Sequence, residues 1–442
     1  MAGGVDTKDV GESGCWGGVE DNMDDPEEVR VIFCALDSFS QYAKVAHFNV
    51  THLRRRSFYA LPQEHWKMLA APPFNILETL DKTDDAIDAN AELARAIVAH
   101  GLQNFASLAT VSPQGEPMMP LQWTGVAKHA DIDKARSTIR QFYRDWTADG
   151  AAEREICYAP IMKALEEQRR RRRRQQQQQQ QAKVVGGSGD DDDDARQPKV
   201  LVPGAGLGRL VFELCKRGYN AEGNEISYHQ LLASSHILND CQAAGQYTIY
   251  PWIHTFSNHL TRRNHLRGYP VPDIHPASEL AQAAATSPSS LGSMSMCAAD
   301  FLCLYSDDDH KDSYDAVASL FFLDTAPNLI RYLEVIRHCL RPGGILVNVG
   351  PLLWHFENQA PGNNGHDDDG DGDGEHDVNN SSGIADPGSF ELSNDEVLAL
   401  VDKLGFDVEW SEDGIEAPYI QDRESMLRTT YRASAWVARK RE

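Results

Sequence analysis

Apolar residues recur at three- and four-residue spacing across residues 29–46, 91–100 and 132–146. That spacing lines one face of a helix. In the last stretch Ile139, Phe142, Tyr143 and Trp146 fall on or near one side. Residues 29–165 therefore predict a helical region, punctuated at Pro72 and Pro73. From residue 199 the pattern changes. Short apolar runs at 199–203, 294–298, 316–323 and 345–349, with a run that ends at Glu225, predict strands. Stretches at 209–217, 228–241 and 329–340 predict helices between them. A further helix is predicted over 393–404, where Ser393 and Glu396 form a capping box, and strands over 407–411 and 433–438 close the chain. Strands alternating with helices predict an α/β sheet covered on both faces. Residues 250–293 break the rhythm and read as a long loop, a class that is usually functional or disordered.

Composition sharpens the domain boundaries. The 442 residues carry a formal charge of −24, and 41% are hydrophobic. No stretch approaches the roughly 20 apolar residues of a membrane span. The first residues lack a basic segment followed by an apolar one, so a cleaved leader is not expected. The charge is uneven. Residues 1–28 hold nine acids and one lysine, and residues 361–388 hold eight acids and no Lys or Arg. Both lack the apolar side chains that offset ordering entropy, which predicts disorder. Residues 169–194 run through six arginines, seven glutamines and five aspartates, and predict a solvated linker. The expected plan is an acidic tail (1–28), a helical extension (29–168), a low-complexity linker (169–197) and an α/β domain (198–442) with an acidic insert (361–388). Eight cysteines without a C-x-x-C pair suit a reduced compartment and offer no zinc framework, so no metal is assigned.

Candidate chemistry begins where the first strand ends. Gly204, Gly206 and Gly208 form a G-x-G-x-G turn that opens a helix, and such turns let a backbone approach a ligand. Glu225 lies at the end of the next strand, where an acid can accept from both hydroxyls of a ribose. Asp300 and Phe301 end the third strand; there an acid can accept from an adenine amino group while the aromatic ring packs on the base. A Pro-Gly-Gly turn before the fifth strand is typical of class I methyltransferases, and the residues from Leu320 to Asp324 would border a methyl donor. These features favour S-adenosylmethionine over a nicotinamide, and no P-loop motif is present.

The phrases QFYRDW, VLVPGAGLGRL, GNEIS, YPWIHTFSN, FFLDTAPN and LRPGGILVNVGPLLWHFEN together resemble the carnosine N-methyltransferase family. The resemblance covers about 130–360 and 389–440, with a weaker echo from 29 to 75. It implies a Rossmann-like class I fold with an N-terminal helical extension. It also implies methylation of the imidazole nitrogen beside the side-chain methylene of β-alanyl-histidine, giving anserine. By the same resemblance Gln141 and Arg144 reach the methionine part of the donor; Gly204, Gly206, Glu225, Asp300, Phe301 and Leu320 complete that site; and Asp324, His355 and Tyr431 contact the substrate, with Asp324 and His355 as the catalytic pair. Residues 250–258 stay open between a lid and ordinary core. Where the family carries a run of tyrosines near its last strand, this chain keeps only Tyr431.

Two other readings stay open. One keeps the chemistry and moves it to histidine in a peptide or protein. The other is a non-catalytic module that binds nucleic acid through the Arg run, against which the acidic balance speaks. The expected partner is a small histidine-containing dipeptide, without a membrane. A homodimer is left open. The expected location is the cytoplasm, with the nucleus as an addition.

Overall fold

The computed structural model describes residues 26–106, 123–183, 196–286, 291–358 and 388–442. The acidic tail and insert fall almost wholly outside the described residues. At the tail's end, however, a helix already begins at Pro26, and Glu28 accepts a hydrogen bond from the Tyr228 hydroxyl.

Among the described residues nine strands follow in chain order: β1 (Lys199–Pro203), β2 (Asn220–Glu225), β3 (Tyr247–Ile249), β4 (Tyr269–Val271), β5 (Met294–Ala298), β6 (Tyr314–Leu320), β7 (Leu340–Gly350), β8 (Phe406–Pro418) and β9 (Thr430–Lys440). Seven of them form one sheet in the order β5-β2-β1-β6-β7-β9-β8. β5, β2, β1, β6 and β7 run parallel, and β9 is antiparallel to both its neighbours. The chain winds outward from β1 to β5, then returns to β6 on the other side of β1. Ligands bind at such a reversal, outside the carboxyl ends of the strands. The Rossmann-like class I reading is thus present in the strand order.

Both faces are covered. Leu329, Leu333 and Ile336 pack with Val317, Leu346 and Trp436 on one face. On the other, Cys157, Ile161 and Leu165 pack with Val200, Val347 and Val437. This second layer corrects the linker expectation. A single helix, Ala151–Lys183, crosses the Arg run and lies on the sheet. Its arginines meet acids of the sheet domain: Arg171 donates to Glu409 at 3.0 Å and Arg172 to Asp315 at 2.8 Å. Composition marked these residues as solvated, but their partners lie far along the chain, where composition cannot see them.

The stretch 250–293 is likewise more ordered than a loop. It carries β4, the second strand of the antiparallel β3–β4 hairpin, and the helix Pro276–Thr286. This hairpin joins the extension to the sheet domain. Leu36 and Phe39 of the helix Pro26–Ala46 and Ile87 and Ile97 of the helix Ile76–Ala106 share one core with Leu231, Leu232, Ile249 and Val271.

The helix His129–Trp146 bolts onto the glycine turn. Trp146 is fully buried, and its indole N–H donates to the Leu207 carbonyl at 3.0 Å. Arg209, the first residue after the turn, lies over the same indole at 4.8 Å and donates to Asp273. Trp146→Phe removes the donor and strands a buried carbonyl, which costs about 1–3 kcal/mol. A urea melt is expected to show that loss; an unchanged midpoint would mean that the indole contact carries none of the docking.

Candidate active site

Most of the site residues inferred from the sequence gather at one edge of the sheet. Gly204 follows β1, Glu225 ends β2, Asp300 follows β5, Leu320 ends β6 and His355 follows β7. Because β9 runs the other way, its first residues reach the same edge: Gly350 of β7 pairs with Ser434, and Tyr431 lies three residues earlier.

The glycine turn owes its residues to backbone geometry. Gly204 sits at φ +65°, and a Cβ there would meet the Phe322 ring at 2.8 Å. Any side chain would be both strained and overcrowded. Glu225 holds the turn from below. Its carboxylate accepts from the backbone N–H of Gly206 at 2.9 Å, Ile226 at 3.0 Å and Ser227 at 2.9 Å. Burial raises its pKa, and these three donors pull it partly back. A carboxylate offers about four acceptor positions. Three are taken, so Glu225 has room for about one further hydrogen bond rather than a full pair of ribose contacts. Ile226, next in the chain, leaves half of its surface exposed beside it.

Asp300 caps the short helix Phe301–Tyr305 by accepting from Leu302 and Cys303. The expected stacking role of Phe301 is corrected. Its ring is buried in an aromatic cluster with Tyr305, Phe322 and Tyr332, at centroid distances of 5.3–5.4 Å. What it can offer a ligand is its backbone N–H, one of the first-turn donors that no helical carbonyl pairs.

The extension supplies the next wall. Gln141 and Arg144 stand on the helix that Trp146 anchors to the turn. The Gln141 Oε1 atom is buried and has no hydrogen-bond partner. Arg144 is held by Asp145 through Nε at 2.7 Å and Nη2 at 3.3 Å, and its guanidinium lies 5.0 Å from the Tyr419 ring centre. Burial opposes the charge, but Asp145 outweighs it and holds the pKa of Arg144 well above its ordinary value. An unpaired carbonyl acceptor beside a fixed cation matches the ammonium and carboxylate of an amino-acid group.

Asp324 and His355 are brought side by side. Asp324 is 3% exposed in a 3₁₀ turn after β6. Its Oδ2 accepts from the Leu353 N–H at 2.9 Å, and its own carbonyl accepts from the His355 N–H at 3.1 Å. Burial raises the Asp324 pKa, while the Leu353 donor and the nearby His355 lower it in part. His355 itself is exposed, so it is not a core histidine. Tyr431 completes the group: burial, Tyr419 and the Asp324 charge together raise its pKa.

Three residues were not singled out in the sequence, the first of them included only within the 320–324 loop. Phe321, at φ +53°, is a non-glycine residue in the left-handed region, the kind of strain that collects at functional sites. Its ring meets Tyr419 at 5.5 Å and Tyr431 at 5.9 Å. Tyr419 therefore stands beside Tyr431 where the sequence showed only one tyrosine. The third is Glu153, a buried acid that accepts from Ile420 and Gln421 and so fixes the turn carrying Tyr419. A signal for Phe321 lay in the FFLD phrase; Tyr419 and Glu153 had none. The open question over residues 250–258 divides. Trp252 and Ile253 are core, and His254 bonds the Tyr42 hydroxyl at 2.9 Å. Asn258 reaches over to accept from Met426 at 2.8 Å, in the β8–β9 loop.

Residues 121–442 match the family model described as carnosine N-methyltransferase. A carnosine N-methyltransferase of Schizosaccharomyces pombe is 32% identical over 419 residues, covering 94% of this chain and 97% of that protein. One from Mus musculus is 32% identical over 405 residues, covering 92% of this chain and 84% of that protein. A solved SAM-dependent methyltransferase of Methanosarcina mazei is 15% identical with a TM-score of 0.29, covering 55% of this chain and 93% of its own. With a family model matched across most of its length and relatives aligned from near one end to near the other, the chain belongs to the carnosine N-methyltransferase family.

Proposed function

We propose that the chain transfers a methyl group from S-adenosylmethionine to the imidazole nitrogen beside the side-chain methylene of β-alanyl-histidine, giving anserine. The observation that carries the substrate half is the buried Asp324 carboxylate, pinned by Leu353 with His355 alongside. The donor half rests on the glycine turn with its exposed Gly204, on Glu225, and on the unpaired Gln141 oxygen beside Arg144. These residues fit an amino acid joined to a nucleoside: Gln141 and Arg144 take the zwitterion, Glu225 the ribose, and Asp300 with the Phe301 N–H the base. Bound there, S-adenosylmethionine supplies a sulfonium-activated methyl group.

The chain's own work is selection and positioning. A neutral imidazole carries hydrogen on one nitrogen and a lone pair on the other. Asp324 accepts from the far N–H, so the near nitrogen keeps its lone pair. The same carboxylate then stabilises the positive charge that develops on the ring. Phe321, Tyr419 and Tyr431 wall the ring and hold it in line, a contribution worth up to about 7–11 kcal/mol when geometry is near ideal. His355, open to solvent, takes up the proton that the product sheds.

Incubating the purified chain with labelled S-adenosylmethionine and β-alanyl-histidine tests this directly. Labelled anserine is expected. Donor binding without any labelled dipeptide would overturn the substrate, and label appearing instead in a histidine peptide would move it there. The rate is expected to fall below about pH 6.5, where the substrate imidazole protonates and loses its lone pair. A rate that stays flat through that range, followed as kcat/KM against pH, would contradict attack by the neutral ring.

A further inference from the structure

A second cluster of titratable groups lies where the extension meets the sheet domain. His236 and Asp240 share a single π-helical segment, His236–Asp240, and His100 comes from the long helix Ile76–Ala106. π-Helical turns are rare and occur often at functional sites. The His236 Nδ1 atom lies 3.2 Å from Asp240 Oδ2, and His100 Nδ1 lies 3.9 Å from the same oxygen. One ligand atom from each of the three residues lies within 4.8 Å of the others.

The outer nitrogens decide what those inner atoms are. His236 Nε2 meets the Tyr247 hydroxyl at 2.9 Å, and His100 Nε2 meets the Ser235 hydroxyl at 2.9 Å. With each Nε2–H donated outward, both Nδ1 atoms keep their lone pairs. The Asn104 amide also touches His100 Nε2 at 3.0 Å, and turning that amide presents its oxygen to the same N–H. His236 is 1% exposed, and its Nδ1 is buried without a hydrogen-bond partner despite the nearby carboxylate. In that tautomer two lone pairs and a carboxylate converge with no proton between them and repel one another. A cation at their centre removes the conflict.

We propose that His100, His236 and Asp240 form a site for a divalent transition metal of the zinc class, which ties the helical extension to the sheet domain. Metal–nitrogen bonds of about 2.0–2.1 Å in a tetrahedron place ligand atoms roughly 3.3 Å apart. The 3.2 Å pair already has that spacing, and the 3.9 Å pair closes with a small turn of Asp240. The Asp240 side chain is 45% exposed, which supplies an entry path and room for water as fourth ligand. Tyr247 and Ser235 orient the two rings in the way that outer partners of ligating histidines do.

The test reads metal rather than methyl transfer, so it stands apart from the proposed reaction. Full-length protein, stripped with chelator and dialysed, is titrated with Co²⁺ and then with competing Zn²⁺. One equivalent with the visible spectrum of a tetrahedral nitrogen–oxygen site is expected, together with a rise in Tm. His100→Gln and Asp240→Asn are expected to lose both, and Tyr247→Phe to weaken affinity about 10–100-fold. His47→Gln, which alters a half-buried histidine paired with Asp84 and Asp88, is expected to leave the equivalent in place. Asp240→Asn changes a half-exposed side chain, so it answers even where His100→Gln fails to fold. Absence of a stoichiometric equivalent in the wild-type chain, or its persistence in Asp240→Asn, would overturn the site.

Discussion

Asp324→Asn is expected to lower turnover by about 10²–10³-fold while the affinity for S-adenosylmethionine stays near wild type. The reason lies in which oxygen is already engaged. The Leu353 N–H needs an acceptor at the Oδ2 position. An asparagine satisfies it only by turning its carbonyl oxygen there, which leaves the amide NH₂ for the substrate. A donor then faces the far nitrogen of the imidazole and favours the tautomer with hydrogen on the near nitrogen. That tautomer has no lone pair at the atom that must attack. The negative charge that stabilises the forming imidazolium is lost as well.

Unfolding cannot mimic this result. Burial raises the Asp324 pKa in the folded chain, so folding disfavours its ionised form. By linkage its contribution to stability is fullest below the ordinary carboxylate pKa and is lost as pH rises through the raised folded value. Wherever Asp324 is ionised in the folded chain it bears that burial cost, and a neutral asparagine does not. The variant should melt no lower than wild type. Single-turnover rates with saturating donor check the prediction; near-normal turnover would remove Asp324 from the mechanism.

The parts of the fold that were legible are those whose meaning is local. The run 199–203 with its glycines, the strand end at Glu225 and the turn before 345–349 announce themselves within a few residues, because strand, turn and helix chemistry is short-range. The parts that were not legible depend on partners distant in sequence. Arg171 and Arg172 looked like solvated charge until Glu409 and Asp315 arrived beside them through the sheet. Phe301 stood at the right strand end for a stacking aromatic, but Phe322 and Tyr332 supply a better-packed home for its ring. Tyr419 stands beside Tyr431 because an antiparallel pair of strands delivers Pro418 opposite Thr430. Nothing in a linear phrase encodes that register.

Arg144→Ala is expected to weaken donor binding by at least about 30-fold, since truncating one member of a buried, hydrogen-bonded charge pair costs about 2–5 kcal/mol. Turnover at saturating donor should fall far less than in Asp324→Asn, because in the proposed binding mode Arg144 grips the end of the donor remote from the transferred methyl. A complication is that Asp145 is buried and receives two of the guanidinium's hydrogen bonds. Alanine leaves that carboxylate without a cation and lowers stability too. Arg144→Lys separates the two effects. It keeps a charge for Asp145 and for the face of Tyr419, but a single ammonium cannot reproduce the planar fork that binds one carboxylate while held by another. Lysine should therefore restore most of the melting temperature and only part of the affinity. Isothermal titration with S-adenosylmethionine measures the difference. If Arg144→Lys binds the donor as tightly as wild type, the fork is dispensable and Arg144 serves only to neutralise Asp145. If its affinity stays low while its stability recovers, the guanidinium must be spanning Asp145 and the donor carboxylate at once.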